Sequence, residues 1–298
     1  MPDSARGRIV CFGDLIDDVV VRPDGPIRTD TDTPSVIEQH PGGSAANTAS
    51  WLGSIGAGVD FVGIVGAEEL ARHTLEFERF GVTPHLAAHP TLATGAIVVI
   101  VQGEERTMLT SRGANAELDP ADVTDALLAS AAVLHLTGHS IFHTRDTAAF
   151  TALIARARAA GVDVCVDPGS AGFLSDFGVE RFLAIVDGAN IVVPNLEEGR
   201  VLTGLVEPAA VASALTDRFD LVALTLDAAG VIVATPGAEP LVIPAVGTTI
   251  VDPTGAGDAF TAGFLHGYTT TGDTDAAARA GAALASRAVS AMGARPRR

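Results

Sequence analysis

Two periodicities alternate along the 298 residues of this chain. Short apolar runs at Arg8–Phe12, Val59–Val65, Ala132–Leu136, Val162–Val166, Asn190–Val193 and Leu221–Leu226 have the length and the β-branched content of buried strands. Between them, apolar positions return every three or four residues, as one face of a helix requires. This spacing predicts helices at Ser44–Ile55, Glu68–Phe80, Ala121–Ser130, Arg145–Ala160, around Val179–Val186, at Asn195–Leu202 and at Pro208–Arg218, with Gly81 as the stop signal of the second. Strand and helix units joined in this order favour a parallel sheet covered by helices on both faces.

One region has another texture. Thr94–Val101 and Glu105–Thr110 read as strands joined by Gln102-Gly103-Glu104, and Val19–Arg22 with Ser35–His40 add further extended segments. Together they predict a small β lid formed from about 16–40 and 94–111 over the main sheet. A second hairpin, Val231–Ala234 with Leu241–Ile243, precedes a helix that starts at a glycine-rich turn, and the alanine-rich stretch Ala276–Met292 predicts a closing helix. With no internal repeat and no long linker, the expectation is one domain over residues 1–298. Ligands of such sheets bind beyond the carboxyl ends of the strands, where Asp14–Asp18, Gly42–Asn47, Asn195 and Asp252 would converge.

Composition narrows the chemistry. A hydrophobic content of 47% is enough for a large core without staples, and the two cysteines, Cys11 and Cys165, each lie inside an apolar run. Disulfides are not expected, and a reducing cytoplasm is. No leader-like segment and no long uncharged apolar stretch occurs, so the sequence predicts a soluble protein that is not exported. The formal charge of −17 opposes nucleic acid and anionic membrane as partners. All 19 basic side chains are arginine, which excludes lysine Schiff bases and a Walker-type phosphate loop. Phosphate, if handled, must meet arginine, metal or backbone N–H groups.

The run Asp252-Pro253-Thr254-Gly255-Ala256-Gly257-Asp258 opens a helix. Small residues there let the chain turn and leave N–H donors pointing outward at the positive end of the helix dipole, an anion hole suited to a phosphoryl group. Asp258 follows at once, placed to take a proton from an attacking hydroxyl. Far upstream, Gly42-Gly43-Ser44-Ala45-Ala46-Asn47 also precedes a helix. Paired glycines there admit a close backbone approach to a polar ligand, and Asn47 offers a donor and an acceptor. Together, in this order and over nearly the whole chain, from Arg8–Gly13 to Gly293-Ala294-Arg295-Pro296, the two motifs resemble the signatures of the ribokinase-like (PfkB-type) carbohydrate kinase family.

The resemblance implies a ribokinase-like three-layer α/β/α fold, with a mostly parallel sheet and a β-strand lid, and an ATP-dependent transfer to a hydroxyl of a small sugar. It implies Asp258 as base and Gly255, Ala256 and Gly257 as the anion hole. It places Asp18 on two acceptor hydroxyls, with Gly42, Gly43 and Asn47 beside it. Asn195 and Glu198 match the motif that orders water around Mg2+, although an asparagine N-cap with acidic residues in the first turn needs no function of its own. Thr225, Asp227 and Gly230 fall in the loop along the nucleotide, with Asp227 where many relatives have glycine. Asp252 and Thr254 match positions that hold a monovalent cation such as K+ in several relatives. A homodimer through the lid is a further arrangement the resemblance implies, and a final segment present in many relatives is expected to be missing after Pro296.

Other residues resist the pattern. Ile16, Ser44 and the Thr137–Gly138 region depart from ribokinases, which puts ribose itself in doubt as the acceptor. A nucleoside remains the alternative, opposed by the scarcity of aromatics: Trp51 reads as packed, Tyr268 lies late in its helix, and Phe142 is one of 12 phenylalanines. A non-catalytic sugar-binding regulator is the alternative of another class, and an intact Asp258 speaks against it. His135, His139 and His143 recur every four residues, but Gly138 argues against one continuous helix, so substrate contact by one of them is favoured over a metal. Arg106 and Arg112, on or beside the lid, read by default as solvated charges, though Arg112 before Gly113-Ala114-Asn115 could reach an anionic group on substrate or nucleotide.

Overall fold

The computed structural model describes residues 7–103, 105–144 and 146–297. Its main sheet has nine strands. In chain order these are β1 (Arg8–Phe12), β4 (Val59–Gly66), β5 (Val82–His89), β8 (Ala131–Thr137), β9 (Asp163–Asp167), β10 (Ile191–Val192), β11 (Leu221–Thr225), β12 (Val231–Ala234) and β13 (Leu241–Ile243). Their spatial order is β13-β12-β11-β10-β9-β8-β1-β4-β5, parallel except for the β11-β12-β13 meander. The remaining strands, β2 (Ile16–Pro23), β3 (Ser35–Gly42), β6 (Gly95–Gln102) and β7 (Glu105–Ser111), form the lid sheet in the order β3-β2-β6-β7.

Alternation within the strands builds two cores. In β1, Ile9 and Cys11 face one side while Val10 and Phe12 face the other. The first side is covered by α1 (Ser44–Ser54), α2 (Leu70–Arg79), α10 (Ala256–Thr271) and α11 (Thr274–Val289). The second is covered by α3 (Asp125–Ser130), α4 (Gly138–Phe142), α5 (Thr147–Ala159), α6 (Ala171–Phe177), α7 (Val179–Ile185), α8 (Leu196–Thr203) and α9 (Pro208–Leu215). Both cysteines are free and buried.

The predicted layers and the lid are present, with local differences. Strand β5 was not foreseen, because Pro84 and two histidines break its apolar run. The predicted helix Ala121–Ser130 is a 3-10 turn at Pro120–Asp122 followed by α3, because Thr124 caps a new start by accepting from the Leu127 N–H. The helix expected around Val179–Val186 is α7, whereas α6 before it, set off by Gly178 at φ +95°, was not foreseen. The glycine stretch at 138 holds the short α4. The predicted start of a helix at Arg145 and the turn residue Glu104 lie outside the described residues.

Helix α10 carries the glycine-rich turn at its start, and small residues fix where it points. A Cβ on Gly263 would fall 2.5 Å from the Ala280 carbonyl oxygen of α11, and one on Gly267 2.7 Å from the Ala277 Cα. The two helices therefore touch backbone to backbone. Gly263→Ala must push them apart and should destabilise the protein by about 1–3 kcal/mol, read as a lower melting temperature. Gly172→Ala in α6, whose nearest neighbour is the Ser170 hydroxyl at 3.8 Å, should be neutral or slightly stabilising.

Candidate active site

The carboxyl ends of β1, β8, β9, β10 and β11 open into a cleft of about 920 Å³ between the main sheet and the lid. Its floor is where two helices start side by side. Gly43 caps α1 at φ +91°, and its backbone lies so near Asp14 that a Cβ would sit 2.5 Å from the Asp14 carbonyl oxygen. Gly255 caps α10 at φ +78° and lies against Ala294 in the same manner. Each position requires glycine twice, for its left-handed backbone and for close approach.

Asp258, in the first turn of α10, spans the gap between the two starts. The Ser44 hydroxyl donates to its Oδ1 at 2.7 Å, and Asn47 Nδ2 donates to its Oδ2 at 2.9 Å. Withdrawal from water pushes its carboxyl up to about 6, against the pull of the Asn47 and Ser44 donors, with Asp14 raising it further. Asn47 is itself held. Arg295 Nε donates to Asn47 Oδ1 at 3.1 Å, so the amide must turn its NH2 toward Asp258. Arg295 also donates to the Gly42 carbonyl at 2.9 Å and to Glu76 at 3.0 Å, and it sits over the Phe77 ring.

Beside Asp258 the anion hole has the form its sequence suggested, with one difference. Among the described residues, the N–H groups of Gly255, Gly257 and Asp258 have no protein partner, whereas that of Ala256 makes a long 3.3 Å turn bond to Pro253. A Cβ on Gly257 would meet nothing within 4 Å, so that side of the turn faces open space. Asp252 Oδ1 accepts from the N–H and hydroxyl of Thr254, and its Oδ2 accepts from Gly293, which clamps this loop to the C-terminal segment.

Asp18 reaches the same cleft from β2. It lies against Gly42, where any Cβ would overlap its carboxylate. Burial raises it to about 6 even though the Arg295 charge opposes the shift. Asn195 and Glu198 make a reciprocal capping box at the start of α8. Glu198 N donates to Asn195 Oδ1, while Glu198 oxygens accept from the Asn195 N–H and side-chain amide. Glu198 is 3% exposed and is pushed up to about 7 by burial. Asp167, at the end of β9, is also raised, by burial and then by the Glu198 charge.

A second cavity of about 460 Å³ adjoins the anion hole. Thr225, Asp227, Gly230, Val246, Ile250 and Phe260 are among the residues lining it. Asp227 has φ +50°, a left-handed backbone that glycine adopts freely and aspartate tolerates.

The histidine triplet separates, as Gly138 suggested. His135 lies fully buried on β8, whereas His139 in α4 and His143 at its end line the cleft. Sequence reading missed several residues here. Ser44 stood out as a departure from ribokinases and proves to be a donor to Asp258. Asp167 was signalled by its place at the carboxyl end of a strand, and Arg295 by nothing local. Phe173, 42% exposed, edges the cleft in contact with the His139 and His143 rings. An aromatic surface that the sequence did not make obvious is therefore present at the edge of the cleft. Trp51 is packed and bonded to the Ala294 carbonyl, and Tyr268 bonds to Asp163.

Known proteins resemble this chain in sequence and fold. Over 279 residues the chain is 32% identical to the bifunctional protein HldE of Shewanella baltica, a match that covers 87% of this chain and 55% of that protein. The chain thus spans about half the length of that relative. Adenosine kinase from Sinorhizobium meliloti superposes with a TM-score of 0.86 at 27% identity, over 98% of this chain and 96% of that one. Arabidopsis thaliana ribokinase complexed with ribose and ATP gives 0.82 at 22% identity, over 97% and 94%. The pattern of the pfkB family carbohydrate kinases matches residues 6–297. With both glycine motifs meeting at one carboxylate and the family pattern running almost from end to end, this chain belongs to the PfkB family of carbohydrate kinases.

Proposed function

We propose that the protein transfers the γ-phosphoryl group of ATP to a primary hydroxyl of a small polyol, with sugars as the first reading of the acceptor. The observation that carries this is Asp258, held by Ser44 and Asn47 in the same turn as three N–H donors that have no partner among the described residues. A base and an anion hole share a single turn. Asp258 would take the acceptor proton as the oxygen attacks phosphorus and the bond to the leaving ADP oxygen breaks. The N–H groups of Gly255, Gly257 and Asp258, at the helix N-terminus, would stabilise the charge on the equatorial oxygens, with Ala256 joining them if its weak turn bond opens. Asp18 would take two acceptor hydroxyls, a pairing that suits a carboxylate, and Gly42, Gly43 and Asn47 would shape the rest of that pocket. The lid would exclude water, which would otherwise accept the phosphoryl group.

ATP would extend from the anion hole into the adjoining cavity past Thr225, Asp227 and Gly230. The ribokinase complexed with ribose and ATP has the same fold, which supports this reading. The oxygen donors of Asn195 and Glu198, with Asp167 beside them, suit a hard cation. Glu198 and Asn195 would hold Mg2+ through its water shell, and the ion would neutralise phosphate charge. The same reading assigns a monovalent cation such as K+ to Asp252 and Thr254. It also assigns homodimer contacts to the lid, whose Val36, Ile37, Met108 and Leu109 are exposed.

One observation favours a nucleoside as the second reading. The exposed Phe173 ring offers a base a stacking surface. The S. meliloti adenosine kinase is the corresponding likeness. Kinetics with sugars and nucleosides side by side separate the two.

Asp258→Asn should lower kcat by roughly 10²–10⁴-fold, and its stability should move the other way. The carboxyl titrates near 6 in the fold and near 4 unfolded, so its favourable contribution is complete below pH 4 and lost as pH rises through 6. At pH 8 the amide variant should therefore be more stable than the wild type by ~1–3 kcal/mol, read as a higher melting temperature, the gap closing near pH 4. Wild-type turnover in this variant would remove Asp258 as the base.

Glu198→Gln should raise the Mg2+ concentration for half-maximal rate and leave the acceptor KM nearly unchanged, since it removes a charge on the metal side of the cleft. An unaltered Mg2+ dependence reduces Asn195 and Glu198 to a helix cap.

A further inference from the structure

Of the described arginines only Arg295 is buried, at 7% exposure, and it lies outside the lining of the cleft. A guanidinium is borne away from water only where its donors find acceptors. Here all three nitrogens are engaged, Nε with Asn47 Oδ1 at 3.1 Å, Nη1 with Glu76 at 3.0 Å and Nη2 with the Gly42 carbonyl at 2.9 Å. The segment that carries it is also fixed. Trp51 Nε1 donates to the Ala294 carbonyl at 2.8 Å, and the Gly293 N–H donates to Asp252 at 3.0 Å.

The guanidinium lies 5.3 Å from the centre of the Phe77 ring, a place where an apolar side chain would pack at lower cost than a cation. Its charge therefore calls for a reason beyond packing. The acceptor side of the cleft supplies one, because Asp14, Asp17, Asp18 and Asp258 stand close enough there to act on one another. Asp17 has a cation of its own in Arg72, at 2.6 and 3.0 Å, and Asp258 has the Ser44 and Asn47 donors. Asp18 has no hydrogen bond or ion pair among the described residues.

Asp18 and Arg295 flank Gly42, the carboxylate packed where a Cβ would stand and the guanidinium bonded to the carbonyl. Burial is the largest influence on Asp18 and pushes its carboxyl up; the Arg295 charge opposes it, while Asp14, Asp17 and Asp258 add to it, leaving the group at about 6. In the lid sheet His40 of β3 is the cross-strand partner of Asp18, and Ile97 of β6 on the other side brings no charge. Ionisation matters to this residue's task. A carboxylate accepts from two hydroxyls, whereas the protonated acid turns one of its oxygens into a donor.

We propose that Arg295 is a positioning residue for acceptor binding, the counter-charge that, from behind Gly42, keeps Asp18 ready to take two acceptor hydroxyls. The proposal rests on the kinase reading above and deepens its account of the acceptor clamp. Glu76 moderates that charge from the other side of the guanidinium.

Two substitutions act on the charge in opposite directions. Arg295→Gln removes it, and Glu76→Gln keeps it while removing the acid that balances it. In protein carrying 13C at the aspartate carboxyls, Asp18 should titrate about one pH unit higher than wild type in Arg295→Gln and lower than wild type in Glu76→Gln, since an opposite charge favours the ionised form. Arg295→Lys keeps the charge and should restore the wild-type midpoint. Kinetics should follow. At pH 6 a shift of that size takes the ionised fraction from about half to about a tenth, so the acceptor KM of Arg295→Gln should rise roughly fivefold, with the ATP KM within about twofold and the acceptor gap narrowing at pH 8.5. An Asp18 midpoint unmoved in both variants overturns the proposal, as does one that rises in both, the mark of a pocket merely loosened. Acceptor and ATP KM values that rise together at every pH overturn it too. If Arg295→Gln does not fold, Glu76→Gln decides alone, a downward shift supporting the proposal and an unmoved or upward one overturning it. If no acceptor is phosphorylated while the Asp18 midpoint moves as stated, the kinase reading has failed and the pairing of Arg295 with Asp18 stands.

Discussion

The start of α1 and the start of α10 are joined through one carboxylate, and most of the cleft depends on that junction. Asp258 is fixed by a hydroxyl and an amide from a segment more than two hundred positions away in sequence. Both helices aim their positive ends into this space, which makes a partly buried carboxylate there tolerable. Its cost remains visible in the raised carboxyl. Arg295 completes the junction from the far end of the chain, because without its bond to Asn47 Oδ1 the amide has no reason to present its NH2 to Asp258. A single guanidinium thus ties together the glycine pair, the first helix and Glu76 of α2.

The fold was legible wherever burial alone decides conformation. Strands β1, β12 and β13 have the bounds their apolar patterns predict, and the lid sheet follows from the hairpin pattern at 94–111. Strand β5 was hidden because it is an edge strand, paired on one side to β4, and an edge position accepts the proline and histidines that blur the period. The break near Thr124 escaped for a related reason. Helical periodicity survives a capped interruption, and only the cap reveals it.

Within the site, backbone demands were easier to read than side-chain partnerships. Gly43 and Gly255 advertise left-handed turns through their residue type, and the asparagine and glutamate of the capping box advertise themselves by spacing. Nothing local to Arg295 marks it, since its meaning lies in Asn47, Gly42 and Glu76, all distant in sequence. Ser44 posed the same difficulty. Phe173 is ambiguous from sequence because an amphipathic helix normally buries such a ring, and here α6 turns it to the cleft. Asp227 showed the reverse, a residue whose left-handed φ nothing in its own type required.

A carboxylate tuned by α1 is proposed to do the chemistry at the start of α10. The pH dependence of kcat/KM, which reports groups of the free enzyme, tests it most directly when wild type and Ser44→Ala are compared on one acceptor. The wild type should show an acidic limb near pH 6. Loss of the hydroxyl donor should move that limb upward by about one pH unit, because hydrogen bonds to the charged form lower a pKa. A limb that stays in place or moves downward in Ser44→Ala would contradict it.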